Sequence, residues 1–105
     1  MMQNKIVSTI TFCKRLGKLV LGFDPVKASM QLDEVFVVLM SKELSEKTKK
    51  EVEYLCRMYE VDYRYIDLKL EEIWYLVGKR AGILAICDEG FANKAITIID
   101  NDIQQ

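Results

Sequence analysis

Histidine is absent from this 105-residue chain and proline occurs once, while the three cysteines, Cys13, Cys56 and Cys87, stand far apart without C-x-x-C spacing. The missing imidazole removes the general acid–base group that titrates near neutrality, the partner of a Ser or Cys nucleophile, and the commonest metal ligand. An odd, scattered cysteine set predicts neither a zinc site nor a disulfide framework. Each Cys falls in an apolar run, where a free thiol acts as a small buried hydrophobe. No stretch approaches the roughly 18 apolar residues of a membrane span, and the N-terminus lacks the apolar core of a signal peptide. Phosphate-cradling loops are missing too. Gly17-Lys18 and Gly78-Lys79 supply glycine and lysine without G-x-x-x-x-G-K-[ST] or G-x-G-x-x-G around them. Asp88 and Glu89 follow an apolar run, where αβ enzymes often keep acids, but Asp88 reads best as a helix cap. The expectation is a reduced, soluble, cytoplasmic protein with no catalytic residues, metal, cofactor or membrane partner.

The charge that is present is unevenly spread. Overall the chain carries −1, yet residues 1–30 hold five basic groups against Asp24 alone, for +4; residues 31–77 sum to −4 and residues 78–105 to −1. A local basic face on a neutral chain suggests a small, specific site rather than the coating of a polyanion. Part of the asymmetry has a plainer reading, since Lys14 and Arg15 complement the C-terminus of the first helix. Lys47, Lys49 and Lys50 are interleaved with Glu46, Glu51 and Glu53 and read as a solvated helix face.

Half of the residues are hydrophobic, enough for one core, so residues 1–105 form a single domain whose tail, 100–105, frays. Ile6, Ile10 and Cys13, widened by Val7 and Leu16, give residues 3–16 a helical stripe ending at Gly17. A short strand, Lys18 to Leu21, leads through Gly22 to a second helix that Asp24 caps and Pro25 opens, running to about Gln31. Val35–Met40 and Ile83–Cys87 are continuous apolar runs and read as strands buried on both faces. Val61–Ile66 alternates; Tyr63 and Tyr65 on one of its faces suit packing better than base stacking. Ser45 caps a third helix to about Tyr59, Leu70, Ile73, Trp74 and Val77 mark a fourth closed by Gly78, and Phe91, Ala95, Ile98 and Ile99 mark a fifth. Regular alternation of helix and strand predicts an α/β fold, a three-layer αβα sandwich with a mixed four-stranded sheet.

The organising stretch is Gly17 to Lys27. A glycine followed by a helix start presents backbone N–H groups and the positive end of a helix dipole, with lysines on either side.

Four stretches together carry a family resemblance: Arg15-Leu16-Gly17-Lys18-Leu19-Val20-Leu21-Gly22; Val37-Val38-Leu39-Met40 with Leu44 to Lys50; Val77-Gly78-Lys79-Arg80; and Ala85-Ile86-Cys87-Asp88-Glu89-Gly90-Phe91-Ala92. In this order and spacing, over roughly residues 5–100, the chain resembles the ribosomal-protein family of kink-turn RNA binders, the L-seven-Ae and L-thirty-e type, and within it the small bacterial YlxQ-type branch. The resemblance implies the same αβα sandwich and non-catalytic binding of structured RNA, ribosomal RNA included, in a ribosomal or RNA-maturation particle with a protein partner. It implies a first contact set of Gly17, Lys18, Gly22, Phe23, Asp24 and Lys27 on sheared G·A pairs, and a second of Gly78, Lys79, Arg80 and Ala81 on flipped-out nucleotides. Where the ribosomal branch has Asn, Glu and a Lys three residues later, this chain has Asp24, Pro25 and Ala28, with Lys27 about 100° around the helix from the family lysine. The competing reading is a protein–protein interaction module on the same fold with degenerate RNA binding, which the neutral charge and acidic middle favour.

Overall fold

The computed structural model describes residues 2–103, with side chains from 5 to 101. Among these residues, five helices and four strands alternate in chain order: α1 (Met2–Arg15), β1 (Leu19–Leu21), α2 (Phe23–Gln31), β2 (Val37–Ser41), α3 (Glu46–Met58), β3 (Asp62–Ile66), α4 (Leu70–Val77), β4 (Ile83–Ile86) and α5 (Glu89–Ile103). The strands form one mixed sheet in the order β1-β4-β2-β3. β4 runs antiparallel to both β1 and β2, whereas β2 and β3 are parallel. The two fully buried strands therefore occupy the centre, as continuous hydrophobic runs require, and the half-polar β3 takes an edge.

Side-chain alternation divides the core in two. Val37, Leu39, Leu84 and Ile86 point to one face, where they pack against Ile6, Ile10 and Cys13 of α1, Ile73 and Val77 of α4, and Ala95 and Ile99 of α5. Val38, Met40, Ile83 and Ala85 point to the other, against Val26 and Met30 of α2 and Val52, Leu55 and Cys56 of α3. The three-layer sandwich is thus the direct product of period-two strands between amphipathic helices.

The caps set the element ends. Gly17, in the left-handed region at φ 71°, closes α1 with a Schellman pair: Lys18 N–H donates to Cys13 C=O at 2.9 Å and Gly17 N–H to Lys14 C=O at 3.1 Å. Ser45 Oγ accepts from Thr48 N–H at 3.2 Å, and Asp88 Oδ2 accepts from Phe91 N–H at 2.9 Å, so both expected caps form.

Three expectations need correction. α2 begins at Phe23, with Gly22 as its N-cap, so Asp24 and Pro25 lie inside the first turn rather than at its threshold. Pro25 is tolerated there because the first four N–H groups of a helix have no intrahelical acceptor. Leu16 falls beyond α1 and is half exposed, and Phe36 precedes β2 and is likewise exposed. α5 is helical to Ile103, and residues 104–105 of the tail lie outside the described residues.

An ion pair ties α5 down at Asp100. Arg64 of β3 donates from Nε to Asp100 Oδ1 at 2.8 Å and from Nη2 to Oδ2 at 3.0 Å. Chiefly through this hydrogen bond, Asp100 is held below the ordinary carboxylate range and the guanidinium above its own. A depressed carboxylate pKa contributes stability that is present above the unfolded-state value and lost as pH falls through the folded value. Asp100→Asn is therefore expected to lower the urea midpoint at neutral pH and to match the parent protein in acid, below the depressed pKa. Unfolding curves at the two pH values check this.

Candidate RNA-binding rim

The site is built at one end of the sheet. The antiparallel register sets Leu21 opposite Leu84, so the chain leaving β1 arrives beside the chain entering β4. Gly22 N–H donates to Ile83 C=O at 2.9 Å, which locks the start of α2 to the end of the 78–82 segment. Ser41 N–H donates to Gly82 C=O at 3.1 Å and its hydroxyl to Leu68 C=O at 3.0 Å, adding the β2–α3 and β3–α4 connections to the same rim. These are the carboxyl ends of the two parallel strands, where open αβ sheets place their ligand sites.

Gly22 makes the turn possible. Its φ of 94° and ψ of 160° lie in a region that is essentially glycine-only. Phe23 then anchors α2 by packing, half buried, on the α2/α3 side of the core, while Asp24 is exposed on the first turn. The amides of Phe23 and Asp24 occupy the helix positions that lack an intrahelical acceptor, at the positive end of the dipole. Lys27, one turn on, lines a groove with Phe23, Glu51, Tyr54 and Leu55.

The second segment is held as firmly. Gly78 ends α4 in the left-handed region, its N–H donating to Trp74 C=O at 2.8 Å. Lys79 and Arg80 are exposed, and the Arg80 guanidinium lies 5.1 Å from the centre of the Trp74 ring. Gly82 sits where a Cβ would press into the ends of the Leu70 and Leu44 side chains, so a larger residue there would require both leucines to shift.

The structure thus joins Gly22, Phe23, Asp24, Lys79 and Arg80 along one rim and separates other residues of the two expected sets. Gly17 and Lys18 sit at the opposite end of β1, where Lys18 C=O accepts from Cys87 N–H at 2.9 Å. At about 3.3 Å per residue, Lys18 lies roughly 13 Å along the strand from Gly22. Ala81 is buried and offers no side chain to a ligand. One cation escaped sequence reasoning, and another was read only as a helix-end charge. Lys42 joins the rim through the register of β2 on β4, and Lys14 reaches Gly78, its Nζ 3.7 Å from where a Cβ on that glycine would lie. Lys42 carries no local sequence signal, and the local signal of Lys14, a basic residue in the last turn of α1, says nothing of its approach to Gly78, because both placements depend on contacts between distant segments.

Among the described residues, no other constellation competes with the rim. Burial pushes the Cys13 thiol up to about 11, with Asp88 adding to it, and the Cys56 thiol up to about 12, so neither is a thiolate at neutral pH. Among the described residues, no group of three or more Cys, Asp or Glu is placed to hold a metal ion, and no helix is long and apolar enough to cross a membrane. The Asp88 carboxylate is engaged at the start of α5.

The chain is similar to known proteins in sequence and in fold. The model of the ribosomal protein L7Ae/L30e/S12e/Gadd45 family matches residues 4–96. The chain is 32% identical over 87 residues to the RNA-binding protein YlxQ of Bacillus subtilis (strain 168), covering 82% of this chain and 86% of that protein. It is 31% identical over 99 residues to the RNA-binding protein YlxQ of Enterococcus faecium, covering 93% and 94%. A solved structure of a protein with unknown function from Bacillus halodurans C shares the fold, with a TM-score of 0.85 and 24% identity over 91% of this chain and 97% of that one.

Proposed function

Because this chain belongs to the ribosomal protein L7Ae/L30e/S12e/Gadd45 family, we propose that it is a non-catalytic, cytoplasmic RNA-binding protein that recognises kinked RNA of the kink-turn type in a ribosomal or RNA-maturation setting. The observation that carries the reading is the Gly22–Ile83 hydrogen bond, which puts a helix N-terminus and a basic segment on one rim. Two curated relatives named as RNA-binding proteins support it.

The rim suits the task chemically. Asp24 is an acceptor for the amino edge of guanine, and the glycine at position 22 lets the backbone approach closely. Lys42, Lys79 and Arg80 are placed to meet phosphates, which position an RNA without reading its sequence. Recognition is then by the shape of a bent RNA more than by base identity.

The test is binding to a kink-turn RNA at two salt concentrations, beside a control that lacks the G·A pairs. The expected result is affinity that falls with salt and is largely lost in the control. Equal weak binding to both would overturn the kink reading. A second reading, a protein-interaction module with degenerate RNA binding, is favoured by an apolar cluster away from the rim. There Phe12 and Leu16 are half exposed, and the Phe12 ring lies 5.8 Å from that of Phe91. Absence of binding to either RNA would select it.

A further inference from the structure

The end of the sheet away from the rim gathers exposed apolar side chains. Cys87, just past β4, lies between two strand entries. Its N–H donates to Lys18 C=O at 2.9 Å, and the preceding Ile86 C=O accepts from Phe36 N–H at 3.0 Å. On one side of this line α1 ends and α5 begins; on the other, α2 ends at Gln31. Four exposed large hydrophobic residues fall here: Phe12 and Leu16 at the end of α1, and Leu32 and Phe36 in the connection from α2 to β2. Leu32 alone is 69% exposed. Apolar side chains gathered in this way mark an interaction surface. The charges around them are sorted by side. Arg15, its guanidinium 5.7 Å from the centre of the Phe12 ring, and Lys18 are exposed on the α1 side. Asp33 and Glu34 are exposed on the α2 side, where Glu34 N–H donates to Ser29 C=O at 3.1 Å. The Cys87 thiol feels both flanks: burial raises its pKa most, Glu34 raises it further and Lys18 lowers it. Glu89 is exposed on the first turn of α5, and the Asp88 carboxylate is engaged there.

We propose that this face pairs with a second copy of the chain about a two-fold axis near Cys87, the acidic flank of each copy lying on the basic flank of the other. The argument is charge complementarity. A face with an apolar middle, cations on one flank and carboxylates on the other is complementary to itself under a half-turn, and every contact then occurs twice. Lys18 of one copy meets Glu34 of the other, while Leu16 and Phe36 are covered between them. The apolar middle supplies the driving force, and the charge pairs fix the register and exclude the parallel arrangement. The rim built around Gly22 lies at the far end of each copy and stays open. The pair therefore displays two rims that face away from each other and can hold two RNA elements at once. The pairing itself does not depend on what the rim binds.

The test is sedimentation equilibrium without RNA, over a protein concentration series reaching the millimolar range and at two salt concentrations. The mass of the parent protein is expected to rise towards twice that of the chain, and to rise less at the higher salt. Lys18→Glu and Glu34→Lys are each expected to weaken pairing roughly tenfold or more, because one reversal sets like charges together at both symmetry-related contacts. Both side chains are exposed, and circular dichroism checks that each variant is folded. An equimolar mixture of the two variants is expected to recover the pairing of the parent, since both contacts then join opposite charges. That recovery is particular to a two-fold arrangement. A parent protein that stays monomeric throughout overturns the inference and leaves the face to a different protein. Reversed variants that pair as the parent does, or a mixture that pairs no better than its components, overturn it as well. None of these outcomes bears on the kink reading, which is decided by RNA binding at the rim, so the two failures are separable.

Discussion

Gly22→Ala is expected to lower stability by about 1–3 kcal/mol and to abolish selective binding of kinked RNA while leaving a folded protein. Space is not the obstacle, since an added Cβ would meet only Pro25 Cδ, at an ordinary 3.8 Å. The backbone is. At φ 94° and ψ 160° an L-residue is strained, and the chain relieves that strain by rotating the peptide on one side of position 22. Both neighbouring peptides have fixed duties: Gly22 N–H donates to Ile83 C=O, and Gly22 C=O accepts from Val26 N–H at 3.1 Å as the first bond of α2. Any relaxation therefore either detaches α2 from the 78–82 segment or unwinds the first turn, and each outcome breaks the rim. Gly17→Ala supplies the control. Gly17 is also left-handed, at φ 71°, with open space around it, but it stands at the far end of β1. It is expected to lose stability and keep RNA affinity. Denaturation midpoints and binding isotherms on the two variants, taken under conditions where both are folded, separate the contributions. Equal loss of affinity in the two would sink the placement of the site.

Much of the architecture was visible in local patterns because local physics decides it. The apolar runs at 37–40 and 83–86 are buried on both faces, which only the centre of a covered sheet allows, and Ser45 and Asp88 cap helices because their side chains reach amides three residues ahead. The start of α2 was misread for an equally local reason. Asp24-Pro25 satisfies the usual cap-and-first-position signal, but a glycine two residues earlier can bend the chain sooner, and Pro tolerates the first turn. The site was harder to see than the fold. Gly17-Lys18 and Gly22-Phe23 look like one unit in sequence, yet a three-residue strand separates them and turns them to opposite ends of the sheet. Conversely, Lys42 and Arg80 are far apart in sequence and are brought to one rim by the pairing of β2 with β4, which no local window encodes.

Charge removal tests this separation most directly. The double variant Lys79→Ala/Arg80→Ala is expected to weaken RNA binding on the order of tenfold to hundredfold at physiological salt, because each contact is a charge-assisted hydrogen bond to phosphate. Its logarithmic salt slope is expected to shrink by roughly 2, about one for each phosphate contact removed. Lys18→Ala removes a cation from the same basic N-terminal third of the chain, but from the end of β1 that faces away from the rim. If the rim is the site, its affinity and slope stay near those of the parent. If instead the N-terminal charge excess acts as a diffuse field, Lys18→Ala shifts the slope as much as either rim residue does, since a diffuse field weighs charges by number rather than by place. Anisotropy titrations of one labelled RNA across a salt series distinguish the two. Arg80 carries a further consequence in the same experiment. Its guanidinium covers Trp74, so its removal frees the indole ring and is expected to change the tryptophan emission of the unbound protein. That spectral change, seen before any RNA is added, shows that the variant has altered the surroundings of Trp74 locally, and unchanged unfolding behaviour then assigns the lost affinity to the missing contacts rather than to a disturbed fold.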